Sequence, residues 1–436
     1  MAVDGLTVEE VAAKGVVGAG GAGCPTHVKL KAQANVAILN AAECEPLLHK
    51  DKEVLRHYAD EVIAGLAAAQ RLVGAREAVV GIKGKYEDVI AIVKGKLRPG
   101  MRVQRLADSY PSGDEFVLVY DVTKQVIPPG KIPLNVGVVV INVETALNVA
   151  SSGPVTEKFL TIAGAVAEPV TVRVPIGCTY REAIALAGGP TVAEAKVLVG
   201  GAMMGRLAES LDEPITKTTG GLIVLPPEHV LIRRYSLAWE KVARIGAAAC
   251  DQCSFCTELC PRYLLGHPIE PHKAMRSLGF TMNREPNVIG TLFCCECNLC
   301  TMISCPEDLD PKNVCSTNKR RLMMEGVKWE AAAHPTRAEM SFENRRVPIG
   351  RLIRKLDLAR FRNVGPLTDR AAGLRRVEIP LQQHVGAPAE ATVSVGASVS
   401  VGDVIGRPAE GKLGSVIHAS IAGRVTAVGD RVTIES

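Results

Sequence analysis

Apolar and polar residues alternate with different periods in different parts of this 436-residue chain. Near the start, Thr7-Val8-Glu9-Glu10 has capping-box spacing, so a short helix is expected to open there. From about Pro154 to Pro227 the pattern becomes strand-like, in Phe159-Leu-Thr-Ile-Ala, Val170-Thr-Val-Arg-Val and Lys196-Val-Leu-Val-Gly, with Gly-Gly and Pro between the runs. Pro175-Ile-Gly177 leading into Tyr180-Arg-Glu-Ala-Ile-Ala-Leu-Ala-Gly188-Gly189 reads as a strand, a turn and one helix. The final segment, Pro380 to Ser436, is all strand, in Ala391-Thr-Val-Ser-Val-Gly, Val401-Gly-Asp-Val-Ile-Gly and His418-Ala-Ser-Ile-Ala-Gly423-Arg-Val. No stretch approaches the ~18 consecutive apolar residues that a spanning helix requires.

Composition narrows the class. With 47% hydrophobic residues, 41 Gly and 4% aromatics, the chain can fill several cores, and its length suggests about three domains. A net charge of +5 is too mild and too dispersed to imply nucleic acid. The opening MAVDGLTVEEVAAKG lacks the charged start and apolar core of a signal peptide. Thirteen cysteines, eight of them tightly spaced, point to a reducing compartment and not to a disulfide framework. A soluble cytosolic protein is expected.

The cysteines carry the most specific chemistry. One group reads Cys250-x-x-Cys253-x-x-Cys256-x-x-x-Cys260-Pro261, the other Cys294-x-x-Cys297-x-x-Cys300-x-x-x-x-Cys305-Pro306. Three thiolates spaced two apart wrap one face of an iron–sulfur cube, and in two-cluster ferredoxins the more distant Cys-Pro ligates the other cluster. This predicts one [4Fe–4S] centre on Cys250, Cys253, Cys256 and Cys305, and a second on Cys294, Cys297, Cys300 and Cys260. Structural zinc is the alternative, but zinc needs only two CxxC pairs and gives the doubled Cys-Pro no purpose. Cys295 breaks the two-residue rhythm and reads as a spare thiol. The four residues before Cys305 read as a bulged variant of the usual three.

Gly18-Ala-Gly20-Gly21-Ala-Gly23-Cys24-Pro25 contains GxGxxG, and Glu43 lies where a dinucleotide-binding fold places an acid. The context does not fit that fold, because a helix precedes the glycines and Pro25 interrupts the helix that should come next. Two readings remain, an anion cradle of exposed N–H groups with Lys29 as counter-charge, or a flexible turn.

GAGGAGCPTHVK, followed by Asn40-Ala-Ala-Glu43-Cys-Glu45-Pro46, resembles the flavin site of the NADH-oxidising subunit of respiratory complex I and of Rnf complex C subunits. Tyr110-Pro-Ser-Gly113-Asp114-Glu115 and Asn142-Val143-Glu144-Thr145 match the next two elements in order. The resemblance implies that Gly18, Gly20, Lys29, Asn40, Gly113, Asn142 and Thr145 hold FMN, with Gly21, Gly23 and Glu43 in the same pocket. Glu45, Tyr110 and Glu115 would face the nicotinamide nucleotide, with NADH as electron donor. Cys24 stands where these families carry an aromatic residue to stack on the dinucleotide, a contact worth about 0.5–1.5 kcal/mol beyond burial.

The strand-rich middle resembles the β-grasp (SLBB) module that follows the flavin domain in these families. Gly200-Gly-Ala-Met203-Met204-Gly205 reads as core and turn, and Cys178 as a buried structural thiol. The C-terminal strands resemble a barrel-sandwich (lipoyl-like) domain, and His384-Val-Gly386-Ala-Pro388 is similar to the Rnf C version. His418-Ala-Ser420 has no lysine at the tip where a swinging arm would carry one, so this domain reads as a packing module. The expected fold class is multidomain α/β and α+β. It comprises an FMN/NADH-binding domain over 1–150, a β-grasp module over 151–235, a helical two-cluster ferredoxin-like module over 240–325, a basic helical connector over 326–379 and a barrel-sandwich over 380–436. The arginine-rich connector, with Arg345-Arg346 and Arg351-Leu-Ile-Arg354-Lys355, reads as a solvated helix or as a docking face for an acidic electron-transfer partner.

In Rnf C subunits the barrel-sandwich precedes the flavin domain, whereas here it comes last. This order resembles the cobalamin reductase family of propanediol-utilisation microcompartments, which also share the gap before Cys305, Glu43-Cys-Glu-Pro-Leu-Leu, Lys217-Thr-Thr-Gly-Gly-Leu and Cys256-Thr-Glu-Leu-Cys260-Pro-Arg. The resemblance implies hydride transfer from NADH to FMN and delivery of single electrons to cob(III)alamin and cob(II)alamin as substrates. It also implies an adenosyltransferase and a microcompartment shell protein as partners, no nucleic acid, no membrane span, and a place inside a bacterial microcompartment. An Rnf-like NADH:acceptor subunit with another acceptor, and a non-enzymatic electron wire, are the alternative readings.

Overall fold

The computed structural model describes residues 5–279, 285–329 and 337–436. Thr7 opens α1 (Val8–Ala13) with the expected capping box. Its hydroxyl accepts from Glu10 N at 3.2 Å, and the Glu10 carboxylate accepts from Thr7 N at 2.7 Å. The glycine-rich loop follows, then α2 (Thr26–Leu30), which starts directly after Pro25. Next come β1 (Val36–Ala41), α3 (Lys50–Leu72), β2 (Glu77–Lys83), α4 (Glu87–Lys94), β3 (Met101–Leu106), β4 (Ser109–Tyr110), α5 (Glu115–Thr123), β5 (Val138–Asn142) and α6 (Val143–Ala150).

The four long strands form a parallel sheet in the order β3-β2-β1-β5. Ala37, Leu39 and Ala41 pack with Val62, Leu66 and Val143 on one side, while Ile38 packs with Leu118, Val119 and Val122 on the other. Burial on both faces explains why these strands read as continuous apolar runs without alternation. Helices α3 and α6 cross backbone to backbone, since a Cβ on Gly65 would lie 1.8 Å from the Ala146 carbonyl oxygen. Strand order reverses between β1 and β5, with Asn40 opposite Asn142 at their carboxyl ends. Open α/β sheets bind ligands at such a reversal.

A second, five-stranded sheet contains β6 (Glu157–Gly164), β7 (Val170–Pro175), β8 (Lys196–Val199), β9 (Arg206–Leu207) and β10 (Gly221–Leu225) in the order β7-β6-β10-β8-β9. One helix, α7 (Tyr180–Leu186), is capped by Thr179 and Glu182 and covers it through Tyr180, Ala183 and Ile184. The strand, turn and helix read from Pro175 onward are present, and Cys178 is buried against them.

The cysteine region is built from helices, most of them short: Trp239–Ala249, Phe255–Glu258, Pro261–Leu264, Pro271–Arg276, Glu285–Val288 and Pro311–Met324. The connector departs from the sequence reading. Only Ile349–Lys355 is helical between Gly326 and Arg375 among the described residues, apart from a short turn at Glu343–Arg345, and 330–336 lie outside them. The segment is a strap rather than a solvated helix. Val347–Pro348 pairs with β4, Arg346 reaches Asp121 with both side chains largely buried, and Thr368 N donates to Thr171 O at 3.0 Å. Buried backbone groups need partners, and here the strap finds them on β4 and β7.

The C-terminal strands form two facing sheets. One has Arg376–Pro380, Arg431–Glu435, Gly423–Val428 and Ser398–Val399, the other Ala389–Ala391, Val404–Pro408 and Ile417–His418. Their inward residues Val377, Ile379, Val399, Ile405, Ile417 and Val425 share one apolar core with the α3/α6 side of the first sheet. The last segment therefore packs directly on the first. Among the described residues no helix is long and apolar enough to cross a membrane.

Candidate functional site

The glycine loop closes on itself where β1 and β5 diverge. Gly18 N donates to Cys24 O at 2.9 Å and Gly23 N to Gly18 O at 3.1 Å, leaving Gly20 and Gly21 exposed at the rim. Gly21 has φ +111° and Gly23 φ +66°, backbone that side-chain-bearing residues rarely adopt. Ala19 N donates to Thr145 Oγ1 at 2.9 Å, tying the loop to the start of α6. Asn142 caps that helix by accepting from Glu144 N at 3.0 Å, and its amide donates to Asp51 at 2.8 Å. The Asn40 amide donates to Gly113 O at 2.9 Å, and a Cβ on Gly113 would meet Ala42 O at 2.9 Å. Gly18, Gly20, Gly21, Gly23, Asn40, Gly113, Asn142 and Thr145 thus gather around the carboxyl ends of β1 and β5. Cys24 lies half-buried beside the loop.

Beneath the loop is a buried charge network that the sequence reading did not identify. Lys50 is within 3.1 Å of Glu144, contacts Asp51, and is itself buried. Lys158 pairs with Glu144 and donates to Ala19 O at 3.1 Å. Burial opposes the charge on Lys50, but Asp51 and Glu144 outweigh it and raise its pKa. Burial takes Lys158 down to about 8. Burial also pushes Glu43 up to about 7, with the Asp51 carboxylate adding to the effect.

Three residues expected around a nicotinamide nucleotide have other partners. The Tyr110 ring is 2% exposed, and its hydroxyl donates to the Cys297 carbonyl at 2.8 Å. Glu45 accepts from Met203 N at 2.9 Å and Met204 N at 2.8 Å. Gly201, at φ +143°, leaves room for that carboxylate, because a Cβ there would come within 2.4 Å of Glu45 Cδ. Burial raises Glu45 to about 7 against these hydrogen bonds. The Gly200–Gly205 turn is therefore a contact between sheets as well as core. Glu115 alone of the three stays at the cleft, where it accepts from Lys29 at 3.0 Å; the same ammonium donates to Val140 O at 3.2 Å.

Both cysteine loops share one local conformation. Gln252 (φ +62°) and Ser254 (φ +64°) flank Cys253, and Glu296 (φ +59°) and Asn298 (φ +66°) flank Cys297. Alternation of left- and right-handed residues turns successive N–H groups to one side, which suits an anionic centre. Cys250, Cys253, Cys256 and Cys305 border one cavity together with Met275, Leu309 and Pro311, so the structure brings Cys305 to the other motif's trio. Cys260 lies near Cys294 and Cys295, and Cys297 near Cys295, Cys260 and Cys300; these charged neighbours reinforce the burial that raises Cys260. Cys260, Cys294, Cys295, Cys297 and Cys300 therefore gather together, with Cys295, which the spacing set aside as a spare thiol, hydrogen-bonded to Cys297. The donor sets fit two multi-iron cubes, and the glycine loop fits a phosphate-bearing flavin.

Two further residues escaped the sequence reading. Arg262, next after Cys260-Pro261, donates to Asp114 at 2.8 and 3.0 Å and stacks on Phe116 with 3.6 Å between guanidinium and ring centre. Cys315 is buried and hydrogen-bonds to Cys294. Asp114 was visible within Gly113-Asp114-Glu115, but only the fold brings Arg262 to it.

Family profiles divide the chain in agreement with this geometry. Residues 11–151 match the Nuo51 FMN-binding domain, 159–207 the SLBB domain, 249–310 the 4Fe-4S dicluster domain, and 368–436 the RnfC barrel sandwich hybrid domain. The chain is 42% identical over 428 residues to cobalamin reductase PduS of Salmonella typhimurium, covering 97% of this chain and 94% of that protein. It is 41% identical over 431 residues to cobalamin reductase PduS of Citrobacter freundii, covering 98% and 95%. It is 34% identical over 261 residues, 57% of this chain and 56% of the other, to the C subunit of the Na(+)-translocating ferredoxin:NAD(+) oxidoreductase complex of Acetobacterium woodii.

Proposed function

The chain belongs to the cobalamin reductase PduS family, and we propose that it carries electrons from NADH, through bound FMN and two [4Fe–4S] clusters, to the cobalt of a corrinoid substrate. The observation that carries this reading is a strand-end cleft lined by the glycine loop, with the second cysteine loop bonded to its wall through Tyr110. When bound, the flavin accepts a hydride and the clusters accept single electrons; the protein supplies position, access and charge.

Gly20 and Gly21, exposed at the rim, would let a phosphate approach the backbone, while Gly18 and Gly23 close the loop's turn and Lys29 supplies the counter-charge. Asn40, Gly113, Asn142 and Thr145 shape the cleft floor, and Glu43 sits where a proton can be held near neutral pH. Glu115, paired with Lys29 and partly exposed, would be the acid offered to a nicotinamide ribose. Cys250, Cys253, Cys256 and Cys305 hold one cluster; Cys260, Cys294, Cys297 and Cys300 hold the other. A microcompartment lumen, with an adenosyltransferase and a shell protein as neighbours, is the setting that this family membership supports.

The deciding assay is anaerobic NADH oxidation followed together with the cobalamin spectrum, with and without an adenosyltransferase. Reduction of cob(III)alamin coupled to NADH loss is expected. Rapid transfer to ferricyanide with none to any corrinoid would favour an Rnf-like subunit with another acceptor, a reading that the Acetobacterium woodii relative supports. A flavin that NADH fails to bleach would point to an electron wire, and Cys24→Phe is then the substitution that should restore bleaching.

A further inference from the structure

The two cysteine sets differ in how they meet the flavin cleft. From the cleft wall, Tyr110 donates to the carbonyl of Cys297, and Arg262, two residues from Cys260, grips Asp114. Both of these bonds go to the second set. Tyr110 and Asp114 flank Gly113, whose carbonyl accepts from Asn40 at the end of β1. Cys297 and Tyr110 also share an apolar cluster with Leu47, Leu48 and Met203. The turn bearing Cys260 and the loop around Cys297 are thus fixed against the cleft from two sides.

The first set faces away. Its cavity is lined only by residues from Cys250 to Pro311, with none from the flavin domain. Three of its four cysteines, Cys250, Cys253 and Cys305, are partly exposed and Cys256 is buried, whereas in the second set Cys260, Cys297 and Cys300 are buried and Cys294 is partly exposed. Phe255, between two of its cysteines, is 48% exposed. The short helix carrying Cys256 packs on the turn carrying Cys300, so the two sets adjoin.

We propose that the cluster on Cys260, Cys294, Cys297 and Cys300 is the first acceptor from the flavin, that the cluster on Cys250, Cys253, Cys256 and Cys305 is the donor to the corrinoid, and that Tyr110 is a positioning residue for the first of these transfers. This rests on the proposed flavin and cluster content. Each hydride from NADH delivers two electrons and leaves NAD+. One electron at a time reduces the inner cluster, reoxidises it as the outer cluster is reduced, and then lowers cobalt by one oxidation state. Two such passages discharge one hydride, and the proton left on the flavin goes to solvent.

The order is tested with Cys297→Ser and Cys253→Ser, each loaded with flavin and its remaining cluster, under argon. Electrons are introduced at the flavin both by NADH and by illumination with EDTA, and the remaining cluster is followed by rapid-freeze electron paramagnetic resonance. In Cys253→Ser the remaining cluster should be reduced at close to the wild-type rate. In Cys297→Ser the remaining cluster should stay oxidised through many turnovers, although dithionite reduces it fully. The reverse pattern, or equal rates in both, overturns the order. Tyr110→Phe keeps all eight thiols and decides the question if a serine variant loses both clusters. It should slow reduction of the inner cluster about 10- to 100-fold, the scale of an ångström-level misplacement, and shift that cluster's potential alone. An unchanged rate with both potentials unmoved overturns the role of Tyr110. Illumination bypasses NADH, so a failure of NADH as donor is read separately from a failure of the order.

Discussion

Arg262 holds Asp114 by two parallel hydrogen bonds, at 2.8 and 3.0 Å, with the side chains only 9% and 8% exposed. Asp114 is also the cap of α5, accepting from Phe116 N and Val117 N. One carboxylate therefore starts a flavin-domain helix and anchors the residue that follows Cys260-Pro261. Asp114→Ala leaves a buried guanidinium unpaired and should destabilise the protein by about 3–5 kcal/mol. The denaturant midpoint, followed by far-ultraviolet circular dichroism, measures it. A loss below about 1 kcal/mol would match a solvated pair instead.

Iron content tests the two thiol sets. Protein purified anaerobically should hold about eight irons, in two [4Fe–4S] centres. Cys297→Ser should lose about four of them, one cluster's worth, whereas Cys295→Ser should leave the count unchanged. Two equivalents of zinc, with no iron after anaerobic reconstitution, would refute the assignment.

Lys29 lies at the cleft between Glu115 and Val140 O. Lys29→Ala should weaken FMN by about 1.5–3 kcal/mol, the scale of a charge-assisted hydrogen bond. Titration of the apoprotein, followed by quenching of flavin fluorescence, reads the change directly. An unaltered affinity would remove Lys29 from the phosphate site.

A pH dependence arises from Lys217. It is buried without a carboxylate, donating to Gly15 O at 2.7 Å and Val416 O at 2.8 Å. Burial holds it down to about 7, against an ordinary value of 10.5. Between those values the unfolded chain binds the extra proton, so this group's contribution to stability rises with pH across the window. Below about 7 the lysine is charged in both states and its penalty is complete. His418, held down to about 4 by burial, and His384, also lowered by burial, face it without titrating there. The stability of Lys217→Met relative to wild type should therefore fall between about pH 7 and pH 9. Urea midpoints of both proteins at the two pH values test this.

Local signals carried much of this structure. The Thr7 capping box and the strand–turn–helix after Pro175 depend on short spacings, while the approach of Cys305 to the first trio follows the cross-ligation of two-cluster ferredoxins. The connector was misread because its arginines satisfy partners far away in sequence, Asp121 and Glu168 among them. Tyr110 and Glu45 were placed at the nucleotide by motif, but their partners Cys297 and Met203 come from later modules. The Lys50–Glu144–Lys158 network was hidden for the same reason. Charged residues read as surface until a fold buries them together.

Val385 N donates to Gly23 O at 3.0 Å, and a Cβ on Gly23 would lie 3.2 Å from His384 Cα. The glycine loop of the first module is thus walled by the barrel sandwich, so a substitution at 383–385 would slacken a loop that belongs to another module.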